Sequence, residues 1–268
     1  MDIVILFVIG IGVGAFGTLV GIGGGLIMIP LFVLVMTGRA DAPPSFFNTF
    51  HTVSQAVGTS LFGVFLNTFS GTVAYIRQKK VYFDAALPFA VATLPGAFIG
   101  SYVDEYFTGN AFNILFGAML MVLSVVMYWK SSAAKAKAEY FNQQDFKYSK
   151  KIGIFISIFV GFLSSILGIG GGVVHVPLMI YVLSFPPHVA TATSHFILAV
   201  SSFAGTVSHV LLGHVVWKPA IAIGGGAAVG AQLGAVISRK TKPRIIVILL
   251  SVVMCALGLK LIFMAGIK

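Results

Sequence analysis

Acidic residues are scarce, with seven Asp and Glu in 268 residues, and charged residues of both signs make up only 9% of the chain. An ordinary soluble domain carries roughly 25%. Too few charges remain to cover a water-facing surface, which excludes a soluble globular enzyme. The single cysteine, Cys255, excludes an intrachain disulfide and, inside an apolar run, reads as a small core residue. The start, Met1-Asp2-Ile3, lacks a basic leader or small-residue cleavage site, so the first apolar segment reads as retained in the membrane. All seven acids, Asp2, Asp41, Asp84, Asp104, Glu105, Glu139 and Asp145, fall in loops or at segment ends. That argues against a cation carrier or proton pump built on intramembrane carboxylates. The six histidines are scattered and have no acidic partners at depth, so no metal site is expected. No cofactor is expected either, because the glycine runs follow no strand and lack the acidic residue of a dinucleotide fingerprint.

What the chain has instead is apolar sequence: 58% hydrophobic residues and a mean hydropathy of +1.01. The reading is an all-α polytopic membrane protein. Apolar segments fall at about 3–20, 25–37, 48–73, 83–102 and 110–129, then 152–167, 171–185, 188–212, 217–238 and 244–264. The second segment of each five is short and opens on glycines. At about 1.5 Å per residue it falls short of a hydrocarbon core about 30 Å thick. Eight full spans plus two glycine-broken, re-entrant segments are expected, up to ten helices in all. The polar stretch 131–151 divides the chain into a first transmembrane repeat, 1–130, and a second, 152–268, within one integral membrane domain.

The halves repeat. Aligning 14–31 with 161–178 pairs Gly14, Gly21 to Gly25, Pro30 and Leu31 with Gly161, Gly168 to Gly172, Pro177 and Leu178, 8 identities in 18 including Ile22 with Ile169. Aligning 57–75 with 191–209 gives 7 in 19, among them Thr59-Ser60 with Thr193-Ser194. The same register pairs Gly96 and Gly100 with Gly230 and Gly234, spacings that let helices approach closely.

Thirteen of the 17 basic residues cluster in three places: around the central linker, at Arg77, Lys79 and Lys80, and at Arg239 to Arg244. The positive-inside rule puts all three in the cytoplasm, so this charge signals orientation and implies no nucleic-acid partner. The loop after the third segment is then inside and its equivalent, His214 to Trp217, outside. The repeats are therefore expected to be inverted, each broken pair returning to the face it entered, with both termini outside.

Inverted repeats with paired broken helices point to a secondary transporter whose site lies near the bilayer midplane. Gly23, Gly24 and Gly25, with Gly170, Gly171 and Gly172, precede short helices whose N-terminal N–H groups favour an anion. The alternative is that these glycines only permit tight helix packing. Thr59, Ser60, Thr193, Ser194, Gln55 and Gln232 are candidate hydrogen-bond donors to the same anion, although intramembrane Ser and Thr often bond their own helix backbone. His195, where the first half has Leu61, is the candidate proton-coupling group, the alternative being a neutral structural histidine. His175 and His209 rank below it.

The run Gly168 to Gly172, then Pro186-Pro187-His188-Val189-Ala190-Thr191-Ala192-Thr193-Ser194-His195-Phe196, then Gly205 to His209, Gly213-His214 and Trp217, resembles the TauE/SafE family. The resemblance extends over essentially the whole chain, with Gly21 to Gly25 and Ser70-Gly71-Thr72 repeating the pattern; residues 39–49 depart from it. It implies an inner-membrane permease for small organosulfur anions such as sulfite and sulfonates. The expected partners are that anion and the lipid bilayer, with a homo-oligomer left open as an alternative to a single copy of the chain. A passive anion channel is the main alternative; a membrane-embedded enzyme lacks an acid at depth to orient its histidine.

Overall fold

The computed structural model describes residues 2–37, 50, 52–103, 110–129, 146, 148, and 149–266. The 39–49 segment, His51, Asp104, Glu105 and nearly all of the central linker lie outside them. Among the described residues the elements are ten helices: α1 (Asp2–Val20), α2 (Gly25–Thr37), α3 (Val53–Arg77), α4 (Phe83–Val103), α5 (Asn110–Trp129), α6 (Lys150–Leu167), α7 (Gly172–Tyr181), α8 (Pro187–Leu211), α9 (Trp217–Lys240) and α10 (Pro243–Gly266). Seven are long and apolar enough to cross a membrane, while α7, with 10 residues, is not. Large apolar side chains stand exposed on the outer faces, including Val4, Phe155, Leu211 and Phe263. Lipid is the solvent that suits them.

Helix directions follow from which residues meet. Gly226, Gly230 and Gly234 of α9 pack on the backbone of Phe7, Ile11 and Ala15 in α1, so these two helices run parallel. Thr59 and Asn67 of α3 and Gln78 just after it bond Val216, just before α9, and Ala227 and Ala235 within it, so α3 runs parallel to α9 as well. Gly96 and Gly100 of α4 pack on Ile158 and Phe162 of α6, again in parallel. The tight turn 78–82 makes α4 antiparallel to α3. Thr68 meets Ser202 while Gly71 meets His195, so α3 and α8 are antiparallel. Ser124 bonds Ser251 while Gly117 meets Gly258, so α5 and α10 are too. α1, α3, α4 and α5 therefore run opposite to their sequence counterparts α6, α8, α9 and α10, and the repeats are inverted.

Because α1 and α3 are parallel, the α1–α2 pair brings the chain back to the face from which α1 started. This is the return that an odd number of crossings per half requires. The packing is also matched across the pseudo-two-fold axis: α1 on α9 corresponds to α6 on α4, and α3 on α9 to α8 on α4, while α3 on α8 and α5 on α10 lie across the axis itself.

Glycine sets the tightest of these contacts. A Cβ on Gly230 would lie 2.1 Å from the Ile11 carbonyl oxygen, and one on Gly96 2.1 Å from that of Ile158. Only a missing side chain lets these backbones approach, and in lipid such dispersion contacts are a main source of helix association.

Candidate functional site

The two glycine turns meet at the centre of the bundle. Positive φ at Gly21, Gly23 and Gly24, and at Gly168, Gly170 and Gly171, ends α1 and α6 sharply; glycine takes up this conformation without the steric cost of a side chain. The N–H groups of Gly21, Ile22 and Gly23 all converge on the Gly17 carbonyl. Gly23 and Gly170 both face Val64 of α3 and Leu198 of α8, near the middle of those 25-residue helices. Each short helix starts against the other break, with Gly25 on the backbone of Gly168 and Ile169, and Gly172 on that of Gly21 and Ile22. The glycines thus do serve close packing, and the same contact aims the positive ends of α2 and α7 at mid-depth.

The repeated Thr-Ser pairs divide their roles. The Thr193 hydroxyl accepts the Tyr82 N–H at 3.1 Å and the Thr59 hydroxyl accepts the Val216 N–H at 3.0 Å. Each threonine therefore holds the residue just before a helix of the opposite half. Ser60 donates to the Gly168 carbonyl at 2.9 Å, bracing the second break. Its counterpart Ser194 is wholly buried and its Oγ has no partner among the described residues.

His195 lies at the end of α1. Its Nε2 is 3.2 Å from Thr18 Oγ1, and its ring packs edge-on to Tyr75 and against Gly71. The bonds around it fix the proton positions. Asn67 Nδ2 donates to the Ala227 carbonyl at 3.1 Å, leaving Oδ1 to accept from Thr18 Oγ1 at 3.2 Å. With its hydrogen given to Asn67, Thr18 Oγ1 is left as an acceptor toward His195, which favours a hydrogen on Nε2 of the imidazole. Tyr75 donates to the Thr18 carbonyl at 2.7 Å, one of the carbonyls left open where α1 stops. An imidazolium here would face the negative end of α1.

The two glutamines sit elsewhere on α3 and α9. Gln55 is in the first turn of α3, where its N–H bonds Thr52 Oγ1 at 3.2 Å. Gln232 of α9 donates to the Ser70 carbonyl at 2.7 Å and to Ser70 Oγ at 2.8 Å, tying α9 to α3. Among the described residues no group of three or more His, Cys, Asp or Glu side chains could hold a metal. Asp84 is exposed in the first turn of α4. His175 is buried beside Ser157 at 3.2 Å, and His209 pairs with His214 in the α8–α9 turn at 3.3 Å.

The sequence reading missed Thr18, Asn67 and Tyr75. Their partners lie 49 to 177 residues away on other helices. The one available signal was an asparagine in an apolar run, since an amide at membrane depth needs partners.

Residues 6–261 match the family described as Sulfite exporter TauE/SafE. The chain is 36% identical over 277 aligned positions to the probable membrane transporter protein YunE of Bacillus subtilis, covering 98% of each. It is 26% identical to the probable membrane transporter protein MJ0441 of Methanocaldococcus jannaschii, over 95% of this chain and 93% of that one. A probable membrane transporter protein of Xylella fastidiosa is 28% identical over 81% of this chain and 83% of its own length. No solved structure matches. With inverted repeats, paired breaks at mid-depth and a family match over nearly its full length, the chain belongs to the TauE/SafE family of multi-pass membrane transporters.

Proposed function

We propose that the protein is a secondary transporter for a small anion, sulfite or an organosulfonate, working by alternating access in the cytoplasmic membrane. The observation that carries this reading is the meeting of two inverted glycine breaks at the middle of α3 and α8. Each directs a helix N-terminus toward the same depth, and inverted repeats of this kind exchange their conformations to open alternately to the two faces. The cargo's sign follows from the helix ends and from the lack of Asp or Glu at depth among the described residues. Glycine-break N–H groups other than those of Gly21, Ile22 and Gly23, which Gly17 holds, and that of Gly172, which Gly170 holds, would bind the anionic head together with hydroxyls, and His195 would carry the coupling proton on Nδ1.

The cytoplasmic face in this reading is the one bearing the central linker, Lys80 and the end of α9. There Lys80 is half-buried, and burial and then the nearby Arg239 hold its ammonium below the ordinary lysine range. Positive charge of this kind favours an approaching anion.

The test is counterflow. Proteoliposomes preloaded with unlabelled sulfite should accumulate labelled sulfite transiently, and methanesulfonate should compete. Sulfite-dependent conductance without counterflow would make the protein a channel, and neither signal in sealed vesicles would remove sulfite as cargo.

A further inference from the structure

We infer that the anion travels along one face of α8, on a file of hydroxyls formed by Thr191, Ser194 and Ser201 and joined by Ser165 of α6. This deepens the transport reading above and rests on it. At 100° per residue, positions 191, 194, 198, 201 and 205 of a helix fall within an arc of about 80°, and they extend over about 21 Å along its axis. On α8 that face carries Thr191, Ser194, Leu198, Ser201 and Gly205.

This face borders both breaks. Thr191 lies against Gly21, Leu198 against Gly23, Gly170 and Gly172, and Gly205 against Ser165, whose Oγ would be 2.9 Å from a Cβ placed there. Among the described residues the hydroxyls of Thr191, Ser194, Ser201 and Ser165 have no hydrogen-bond partner, and none of the four residues is more than 3% exposed. Helical serines ordinarily return their hydrogen to the preceding turn, as Ser202 does to the Leu198 carbonyl. A buried hydroxyl without a partner is destabilising. Four on or beside one helix face that touches both breaks through Thr191 and Leu198 is the arrangement expected of donors awaiting a ligand that accepts hydrogen bonds, such as a small oxyanion.

The equivalent face of α3 is built differently. Val57 stands at the position of Thr191, Ser60 is committed to the Gly168 carbonyl, and Asn67, at the position of Ser201, is committed to Thr18 and Ala227. Thr18, the counterpart of Ser165, is occupied by His195 and Asn67. The pseudo-symmetry is thus broken functionally, with the bonded network and its imidazole on the α1–α3 side and the open donors on the α6–α8 side.

The experiment compares saturable uptake of labelled sulfite by the wild-type protein with that of a Ser165→Ala/Ser194→Ala/Ser201→Ala variant, alongside melting curves in detergent. Ser251→Ala, in the peripheral α5–α10 pair, is the control. The expected result is a rise of tenfold or more in the KM for sulfite in the triple variant, with its melting temperature unchanged or higher, because removing an unpartnered buried hydroxyl relieves a cost. Wild-type uptake with the same KM in the triple variant overturns the hydroxyl file and leaves the transport reading intact. Absence of saturable uptake by the wild type overturns both.

Discussion

The Thr193 hydroxyl holds the Tyr82 N–H at 3.1 Å, joining the middle of α8's first half to the turn that launches α4. Its counterpart from Thr59 to Val216, at 3.0 Å, does the same for α9. These bonds cross from one repeat to the other, so the two halves start each other's helices. Thr193→Val or Thr59→Val keeps the shape and leaves a largely buried N–H without an acceptor. Each should cost about 1–3 kcal/mol, with Thr→Ser recovering most of it, as read from melting in detergent. A melting temperature unchanged in both valine variants would show that these bonds hold nothing. A combined Thr193→Val/Ser194→Ala variant would therefore mix a structural loss with a functional one, and Ser194→Ala alone is the cleaner probe.

The proton positions around His195 are open to direct observation. In protein labelled with nitrogen-15 histidine, the His195 resonances, identified by their loss in His195→Gln, should show hydrogen on Nε2 and a lone pair on Nδ1. Thr18→Val should release that preference. A spectrum with hydrogen on Nδ1 in the wild type would break the chain of bonds running from Ala227 through Asn67 and Thr18.

Lys79 and Gly213 occupy the same place in the two hairpin turns, with φ of 56° and 73°. The lysine pays for this left-handed backbone, since an L side chain there costs about 1–2 kcal/mol. After allowing for glycine's greater freedom in the unfolded chain, Lys79→Gly should stabilise by up to about 1 kcal/mol. Gly213→Ala should destabilise, although nothing lies within 4 Å of its added Cβ. Equal melting temperatures for Gly213→Ala and wild type would contradict the backbone argument.

Two glycines of α1 separate packing from propensity. A Cβ on Gly12 meets nothing within 4 Å, whereas one on Gly14 would lie 2.2 Å from the Ala227 carbonyl oxygen. Gly12→Ala should be neutral or stabilising by roughly 0.5–1 kcal/mol. Gly14→Ala should push α1 off α9 and cost at least about 1–3 kcal/mol. The comparison is made by melting both variants under the same detergent conditions, and a Gly14→Ala protein as stable as Gly12→Ala would mean that the α1–α9 contact is looser than described.

Much of this architecture is legible in the sequence because glycine, unlike most residues, is chosen for what the backbone must do. Gly21 to Gly25 and Gly168 to Gly172 mark the breaks, and Gly96, Gly100, Gly230 and Gly234 mark the close crossings, so one residue type reveals both the repeat and its register. The loop charges foretold inversion, which the directions of α1, α3, α4, α6, α8 and α9 bear out. The site is harder to read. A serine or threonine in an apolar run looks the same whether it braces a carbonyl, as Ser60 does, receives an N–H, as Thr59 does, or stays open, as Ser194 does. Sequence symmetry treats Thr59-Ser60 and Thr193-Ser194 alike, and only the long-range partners separate Ser60 from Ser194.

In the proposed function His195 couples a proton to the movement of the anion. The most direct test of this coupling is uptake of labelled sulfite into proteoliposomes, with and without an imposed pH gradient, for the wild type and His195→Gln. The account predicts gradient-stimulated, saturable uptake by the wild type, and in His195→Gln uptake that persists down the anion's own gradient but no longer responds to pH. A His195→Gln protein with the full wild-type response to the pH gradient would contradict it.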